Sequence, residues 1–139
     1  MSNLTTKRER CDLVNRAIRI IAAHGRRFFY CESKGTCASM EVDARGRVWF
    51  VDDYSQKRIY THRPSYARWR GFSHGGTLRH MVELFRDYIR TGKPLHPGYL
   101  GQEREDGSNI WGYAPEAMAA VRAEAGALPV FRQPVEVQP

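Results

Sequence analysis

The fold is decided by residues 38–62, ASMEVDARGRVWFVDDYSQKRIYTH, in which three short apolar-rich segments are separated by two turns. Residues 44–46, Ala-Arg-Gly, have the length and composition of a three-residue hairpin loop, with Gly46 at the left-handed position. Residues 53–56 form a second short connection. Because short connections join antiparallel neighbours, this stretch predicts a meander of strands.

The lengths of the two loops predict one strand register. Asp43 faces Arg47 across the first turn, and Asp52 faces Lys57 across the second. The pairs that follow are Val42–Val48, Met40–Phe50, Phe50–Ile59 and Trp49–Tyr60.

Strand side chains alternate between two faces, so this register sorts the meander into a core face and an outer face. The core face collects Ala38, Met40, Val42, Val48, Phe50 and Ile59. The outer face collects Ser39, Glu41, Arg47, Trp49, Val51, Arg58, Tyr60 and His62. Basic groups interleaved with rings are typical of a platform for nucleic-acid bases and phosphates. Alternatively, a second helix or the C-terminal tail covers the outer aromatic residues.

Three helices are predicted around the meander. The first spans residues 7–24, with Thr6 and Glu9 as a capping box and Gly25 at its end. The second spans residues 78–91, with Thr77 as N-cap and Gly92 at its end. The third spans residues 115–125, framed by a proline and a glycine.

These elements predict an α+β fold with two layers. An N-terminal helix is followed by an antiparallel meander of three or four strands, the first at residues 27–31, and then by two helices. Residues 1–128 are expected to form a single domain. Residues 129–139 contain three prolines and are expected to be an extended or frayed tail.

The chain is basic, with a formal net charge of +7 over 139 residues. Residues 1–100 contain 19 of the 22 basic side chains and 9 of the 15 acidic ones. A positive field of this kind attracts anionic partners such as nucleic acid or an acidic protein. Arginine-favouring codons of a GC-rich genome are the simpler explanation of an arginine content this high.

Other features narrow the class of protein. No apolar run has the length of a membrane helix and the N-terminus lacks a signal core, so we expect a cytoplasmic protein without membrane contact. The cysteines, Cys11, Cys31 and Cys37, are expected to be free thiols; a metal site with His24 or His62, or a disulfide, is the alternative. No cofactor and no metal is predicted.

The loop of residues 63–77, RPSYARWRGFSHGGT, lies in a 29-residue window, 54–82, without any acidic side chain. Near its end, two glycines lie at a predicted helix start, where free amides and the helix dipole favour anions. Aromatic side chains interleave with its arginines. The predicted nucleic-acid or anion-binding residues are Arg58, Tyr60, His62, Arg63, Arg68, Trp69, Arg70, His74, Gly75, Gly76, Thr77 and Arg79. Alternatively, this is an ordinary glycine-containing loop, and Trp69 and Phe72 attach it to the core.

No catalytic motif is present, so no enzymatic activity is assigned. Asp52 and Asp53 are expected to lie in a solvated turn. Cys37 and His74 would form a thiol–imidazole pair only if the fold brought them together. Two hypotheses for the function follow. The first is a small nucleic-acid-binding protein, and the second is an adaptor or inhibitor that docks its arginine-rich surface on an acidic protein.

Overall fold

The computed structural model describes residues 3–62, 68–101 and 103–131. Within these ranges the elements are α1 (Asn3–Ala23), β1 (Tyr30–Cys31), β2 (Thr36–Cys37), β3 (Ser39–Val42), β4 (Val48–Val51), β5 (Arg58–Tyr60), α2 (Gly76–Thr91) and α3 (Pro115–Ala125). Two short 3-10 helices, Pro97–Tyr99 and Pro129–Phe131, flank α3. The predicted α+β class and element order are confirmed.

The predicted register of the meander is also confirmed. Strands β3, β4 and β5 form a three-stranded antiparallel sheet in sequence order. Phe50 pairs with Met40 on one side and with Ile59 on the other, while Trp49 pairs with Tyr60. Gly46 has a φ of 78°, as the three-residue loop requires.

The predicted first strand, residues 27–31, does not join this sheet. Only Tyr30–Cys31 is extended, and it pairs with Thr36–Cys37 in a separate two-stranded hairpin. Arg27 and Phe29 have positive φ angles of 54° and 66°, so the chain turns where a strand was expected. The amide of Ala38 still bonds the carbonyl of Phe29 at 2.8 Å, which ties this hairpin to the start of β3.

The core lies between the sheet and the first two helices. The helix α1 contacts β3 and the helix α2 contacts β4. Met40, Val48 and Phe50 are buried on the sheet side, and Val42, which was expected beside them, is only half-buried. The buried helix side chains facing them include Val14, Ile18, Ile21, Val82, Phe85 and Ile89.

Both predicted threonine caps are wrong. Thr6 lies inside α1, which begins at Asn3, and Thr77 is the second residue of α2, whose N-cap is Gly75. The predicted ends are better matched: Gly92 follows α2 with a left-handed φ of 82°. The helix α3 has the predicted bounds, with its proline in the first turn.

The segment after α2 packs against the rest of the domain. The amide of Leu95 bonds the carbonyl of Val130 at 2.7 Å, and Trp111 and Tyr113 are buried. Val130 and Phe131 are buried as well, so the packed chain continues three residues past the predicted boundary at residue 128. The remainder of the predicted tail lies outside the described residues. Among the described elements, no helix is both long and apolar enough to cross a lipid bilayer.

Candidate functional site

The turn between β4 and β5 is buried, which corrects the expectation of a solvated carboxylate pair. Asp52 is only 1% exposed. Its Oδ2 accepts hydrogen bonds from the amides of Tyr54 and Ser55, both at 3.0 Å. Its Oδ1 accepts the amide of Ser73 at 2.8 Å and the Ser73 hydroxyl at 3.0 Å. Asp52 therefore fixes the loop that leads into α2 against the sheet.

Asp53 has a different partner. Its carboxylate, 3% exposed, lies with Oδ1 2.5 Å from Nε2 of His74. A carboxylate only accepts hydrogen bonds, so the proton between the two atoms belongs to Nε2. The edges of Phe29 and Phe72 pack on the imidazole, with centroid distances of 5.2 and 5.5 Å. His74 is thereby held in one orientation at the start of α2.

A pocket of about 330 Å³ opens beside His74. Its lining comes from three separate parts of the chain: Phe28, the turn of residues 73–78, and Ile110 with Trp111. The first intrahelical bond of α2 runs from the amide of Arg79 to the carbonyl of Gly75. The amides of Gly76, Thr77 and Leu78 precede this bond and have no intrahelical acceptor. The N-terminus of α2 thus faces a concave surface, as the sequence suggested for an anion site.

Another part of the pocket lining is aromatic. The Phe28 and Trp111 rings are 5.7 Å apart, and the guanidinium carbon of Arg26 lies 5.6 Å from the Phe28 centroid. Trp111 is 2% exposed, and its indole N–H has no hydrogen-bond partner within the described part of the chain. The wall therefore combines apolar surface, a nearby cation and one unpaired donor.

The residues of the predicted arginine- and aromatic-rich loop fall into two groups, which differ in burial. Arg68 and Arg70 are exposed, but Trp69 is 4% exposed and packs edge-on against Phe72. This packing corresponds to the alternative in which Trp69 attaches the loop to the core. The guanidinium carbon of Arg79 lies 4.5 Å from the Trp69 ring centroid. Arg63 lies outside the described residues.

The outer face of the sheet presents the other predicted residues. Trp49 and Tyr60 are half-buried, with ring centroids 5.1 Å apart, and His62 lies 5.8 Å beyond Tyr60. The guanidinium carbon of Arg58 lies 4.4 Å from the centroid of the Trp49 ring. Burial and the nearby charges of Arg90 and Arg86 lower the pKa of His62.

Two carboxylates on this face partly balance its arginines. Glu41 bonds Arg58 at 3.0 Å, and Asp43 bonds Arg47 at 2.8 Å. Asp43 also accepts the indole N–H of Trp49 at 3.0 Å. The bond from Trp49, together with those from Arg47 and Arg45, holds the pKa of the Asp43 carboxyl well below its usual value. The face is therefore aromatic, with arginines whose charges are already paired.

The cysteine expectations are resolved in part. Cys11, Cys31 and Cys37 are all free thiols. His24 contacts Glu124 at 2.8 Å, and neither His24 nor His62 belongs to a metal-ligating cluster in the described ranges. The one such cluster there, formed by Asp52, Asp53 and His74, has ligand atoms within 4.8 Å of one another. Both oxygens of Asp52 already accept hydrogen bonds, so this cluster is better explained as a structural network.

Sequence reasoning placed His74 and the two glycines at a helix start but missed both aspartates. An aspartate that bonds amides two and three residues further on is a turn signal, and Asp52 followed by Tyr54 and Ser55 fits it. No local signal relates Asp53 to His74, which is 21 residues away.

These features define a small α+β domain with a pocket at a helix N-terminus and an aromatic outer sheet face. The chain belongs to the YoqU family, whose family model matches residues 4–133. It is 34% identical over 117 residues to the SPbeta prophage-derived uncharacterized protein YoqU of Bacillus subtilis (strain 168), covering 84% of this chain and 79% of that protein. No solved structure matches this chain significantly.

Proposed function

We propose that this protein binds single-stranded nucleic acid through the outer face of its sheet. The observation that carries the proposal is the pair of Trp49 and Tyr60, two adjacent half-buried rings with the Arg58 guanidinium 4.4 Å from the Trp49 centroid. Unpaired bases stack on exposed aromatic faces, while arginines neutralise the phosphates between them.

Charge supports the same proposal. The formal net charge is +7, and Arg68 and Arg70 are exposed within the window of residues 54–82 that lacks acidic side chains. A phosphate of the nucleic acid would replace Glu41 as the partner of Arg58. The exposed ion pair between Glu41 and Arg58 that is lost contributes at most about 1 kcal/mol. The ion pair is therefore a weak obstacle to binding.

The test is a titration with short single-stranded and double-stranded oligonucleotides at two salt concentrations. Single strands should bind more tightly, and affinity should fall linearly with salt on a log–log scale, because counterions are released. Arg58→Gln should reduce the salt slope by about one unit. Arg104→Gln is the matched control, since it removes the same charge from an exposed residue outside the sheet. Absence of saturable binding at low salt would rule out this function.

A protein partner is the second candidate, and one observation favours it. The arginines on the outer face are already paired with Glu41 and Asp43, so this face offers rings and balanced charge rather than a strong positive field. Tryptophan, tyrosine and arginine are the residues that most often carry the binding energy of protein interfaces. Binding to an acidic protein would respond less to salt and would not compete with generic polyanions. Pull-down from the native host, repeated with Trp49→Ala, would distinguish this candidate.

A further inference from the structure

The pocket beside His74 shares no lining residue with the outer sheet face that is proposed to bind nucleic acid. Its volume of about 330 Å³ lies at the lower end of the range of roughly 300–1,000 Å³ that is typical of small-molecule sites. Three segments that are distant in sequence build it, so it exists only in the folded chain. The space suits a small ligand better than a long polymer.

One end of the pocket is built to receive an anion. The amides of Gly76, Thr77 and Leu78 begin α2, and the cap residue Gly75 has no side chain that would bond them. A β-carbon added at Gly75 or Gly76 would meet no atom within 4 Å, so a ligand can approach these amides closely. Helix starts of this kind hold phosphate through amide hydrogen bonds and the helix dipole.

His74 adds a side-chain nitrogen at the same end. Because Nε2 is engaged by Asp53 at 2.5 Å, the second nitrogen, Nδ1, remains for a ligand. In the part of the chain that the structure describes, Nδ1 has no hydrogen-bond partner. No acidic residue lines the pocket among the described residues. The helix amides, together with Arg26 beside Phe28, are left to attract the anion.

The aromatic part of the pocket lining carries an independent indication of a ligand. Trp111, in the pocket wall, is 98% buried, and its indole N–H lacks a partner within the described ranges. A buried donor without an acceptor is costly, and an acceptor atom of a ligand would remove that cost. Phe28 and Ile110 extend this wall with apolar surface that suits a planar ring.

We propose that this pocket binds a small phosphate monoester that carries an aromatic ring. The phosphate oxygens accept hydrogen bonds from the first amides of α2, and the hydroxyl of the phosphate monoanion donates one to Nδ1 of His74. The ring of the ligand lies against Phe28, and an acceptor atom of that ring accepts a hydrogen bond from the indole N–H of Trp111. This site is distinct from the proposed nucleic-acid face, and neither proposal depends on the other.

The ligand class is tested by titrating the ¹⁵N-labelled protein with adenosine 5′-monophosphate, ribose 5-phosphate, inorganic phosphate and adenosine. The monophosphate should shift the amides of Gly75, Gly76 and Thr77 saturably. It should also bind about ten-fold or more tightly than adenosine, which lacks the charged acceptor. Equal binding of adenosine would overturn the phosphate assignment, and equal binding of ribose 5-phosphate would overturn the assignment of the ring to the aromatic wall.

A charge variant separates binding from folding. Gly76→Asp places a carboxylate where the phosphate would lie, and an acidic residue in the first turn of a helix does not destabilise it. The variant should keep the thermal midpoint and lose at least about ten-fold in affinity for the monophosphate. The control is Thr5→Asp, which adds the same charge to the exposed first turn of α1. Unchanged affinity in Gly76→Asp, or an equal loss in both variants, would overturn the site.

Discussion

Asp53 and His74 meet side chain to side chain, with Oδ1 of the buried carboxylate 2.5 Å from Nε2 of the imidazole. This contact joins the turn after β4 to the residue that leads into α2. It fixes both the tautomer and the orientation of His74. The orientation of His74 in the pocket lining therefore depends on an aspartate that does not line the pocket.

Replacing Asp53 with asparagine should loosen this arrangement. The amide oxygen accepts a weaker hydrogen bond than the carboxylate does, so unfolding should become easier by about 1–3 kcal/mol. Long-range ¹H–¹⁵N spectra of His74 should show the Nε2–H tautomer in the wild type and a mixture in the variant. A single unchanged tautomer in Asp53→Asn would contradict the positioning role.

Asp52 should matter more for stability than its place in a turn suggests. Asp52→Ala removes the acceptor of four hydrogen bonds in a buried site and should cost about 2–4 kcal/mol in urea unfolding. Asp106 is the matched control, since it accepts the amide and hydroxyl of Ser108 in an exposed turn. A much smaller loss is expected for Asp106→Ala, and equal losses would show that burial adds nothing at Asp52.

Phe50→Ala tests the face assignment of the central strand. The ring is fully buried between the sheet and the helices, so its removal should cost about 3–5 kcal/mol. Tyr60 is half-buried on the opposite face, and Tyr60→Ala should cost about 1 kcal/mol by the same measurement. An unchanged melting temperature in Phe50→Ala would contradict the register.

Two arginines of the basic window should respond differently to truncation. Arg70 is exposed, and Arg70→Ala should change stability by no more than about 0.5 kcal/mol. Arg79 lies over the buried Trp69 ring, and Arg79→Ala should cost about 0.5–2 kcal/mol. Thermal unfolding of the two variants measures this difference in stability. Equal midpoints would mean that the cation–ring contact contributes nothing to stability.

The Cys11 thiol should reduce stability at alkaline pH. Burial, with the charges of Asp12 and Glu41, raises its pKa from 9.0 to about 12. The unfolded chain therefore loses this proton first, so the contribution of Cys11 is constant below pH 9 and declines between pH 9 and 12. The decline approaches about 1.4 kcal/mol per pH unit.

Urea unfolding between pH 8 and 10 measures this decline. Cys11→Ala should show a shallower decline than the wild type over that interval. The two slopes would coincide if the thiol had an ordinary pKa in the folded chain.

The sequence by itself determined the register of the three-stranded sheet, the order of the helices and the ends of α2 and α3. These features depend on neighbours within a few residues. The length of the loop at residues 44–46 sets which strand residues pair, and Gly92 stops α2 because its backbone is left-handed. The same local reasoning placed His74 and the two glycines at a helix start.

Only the tertiary structure decided which side chains meet at the pocket. Asp53 approaches His74 from 21 residues away, and Phe28 and Trp111 come from segments on either side of the sheet and α2 in sequence. The first strand was mispredicted because a short apolar run can also form a turn whose side chains pack into the core. Such contacts depend on how the helices and the sheet pack together, and a pattern of neighbouring residues carries no information about partners that only packing brings into contact.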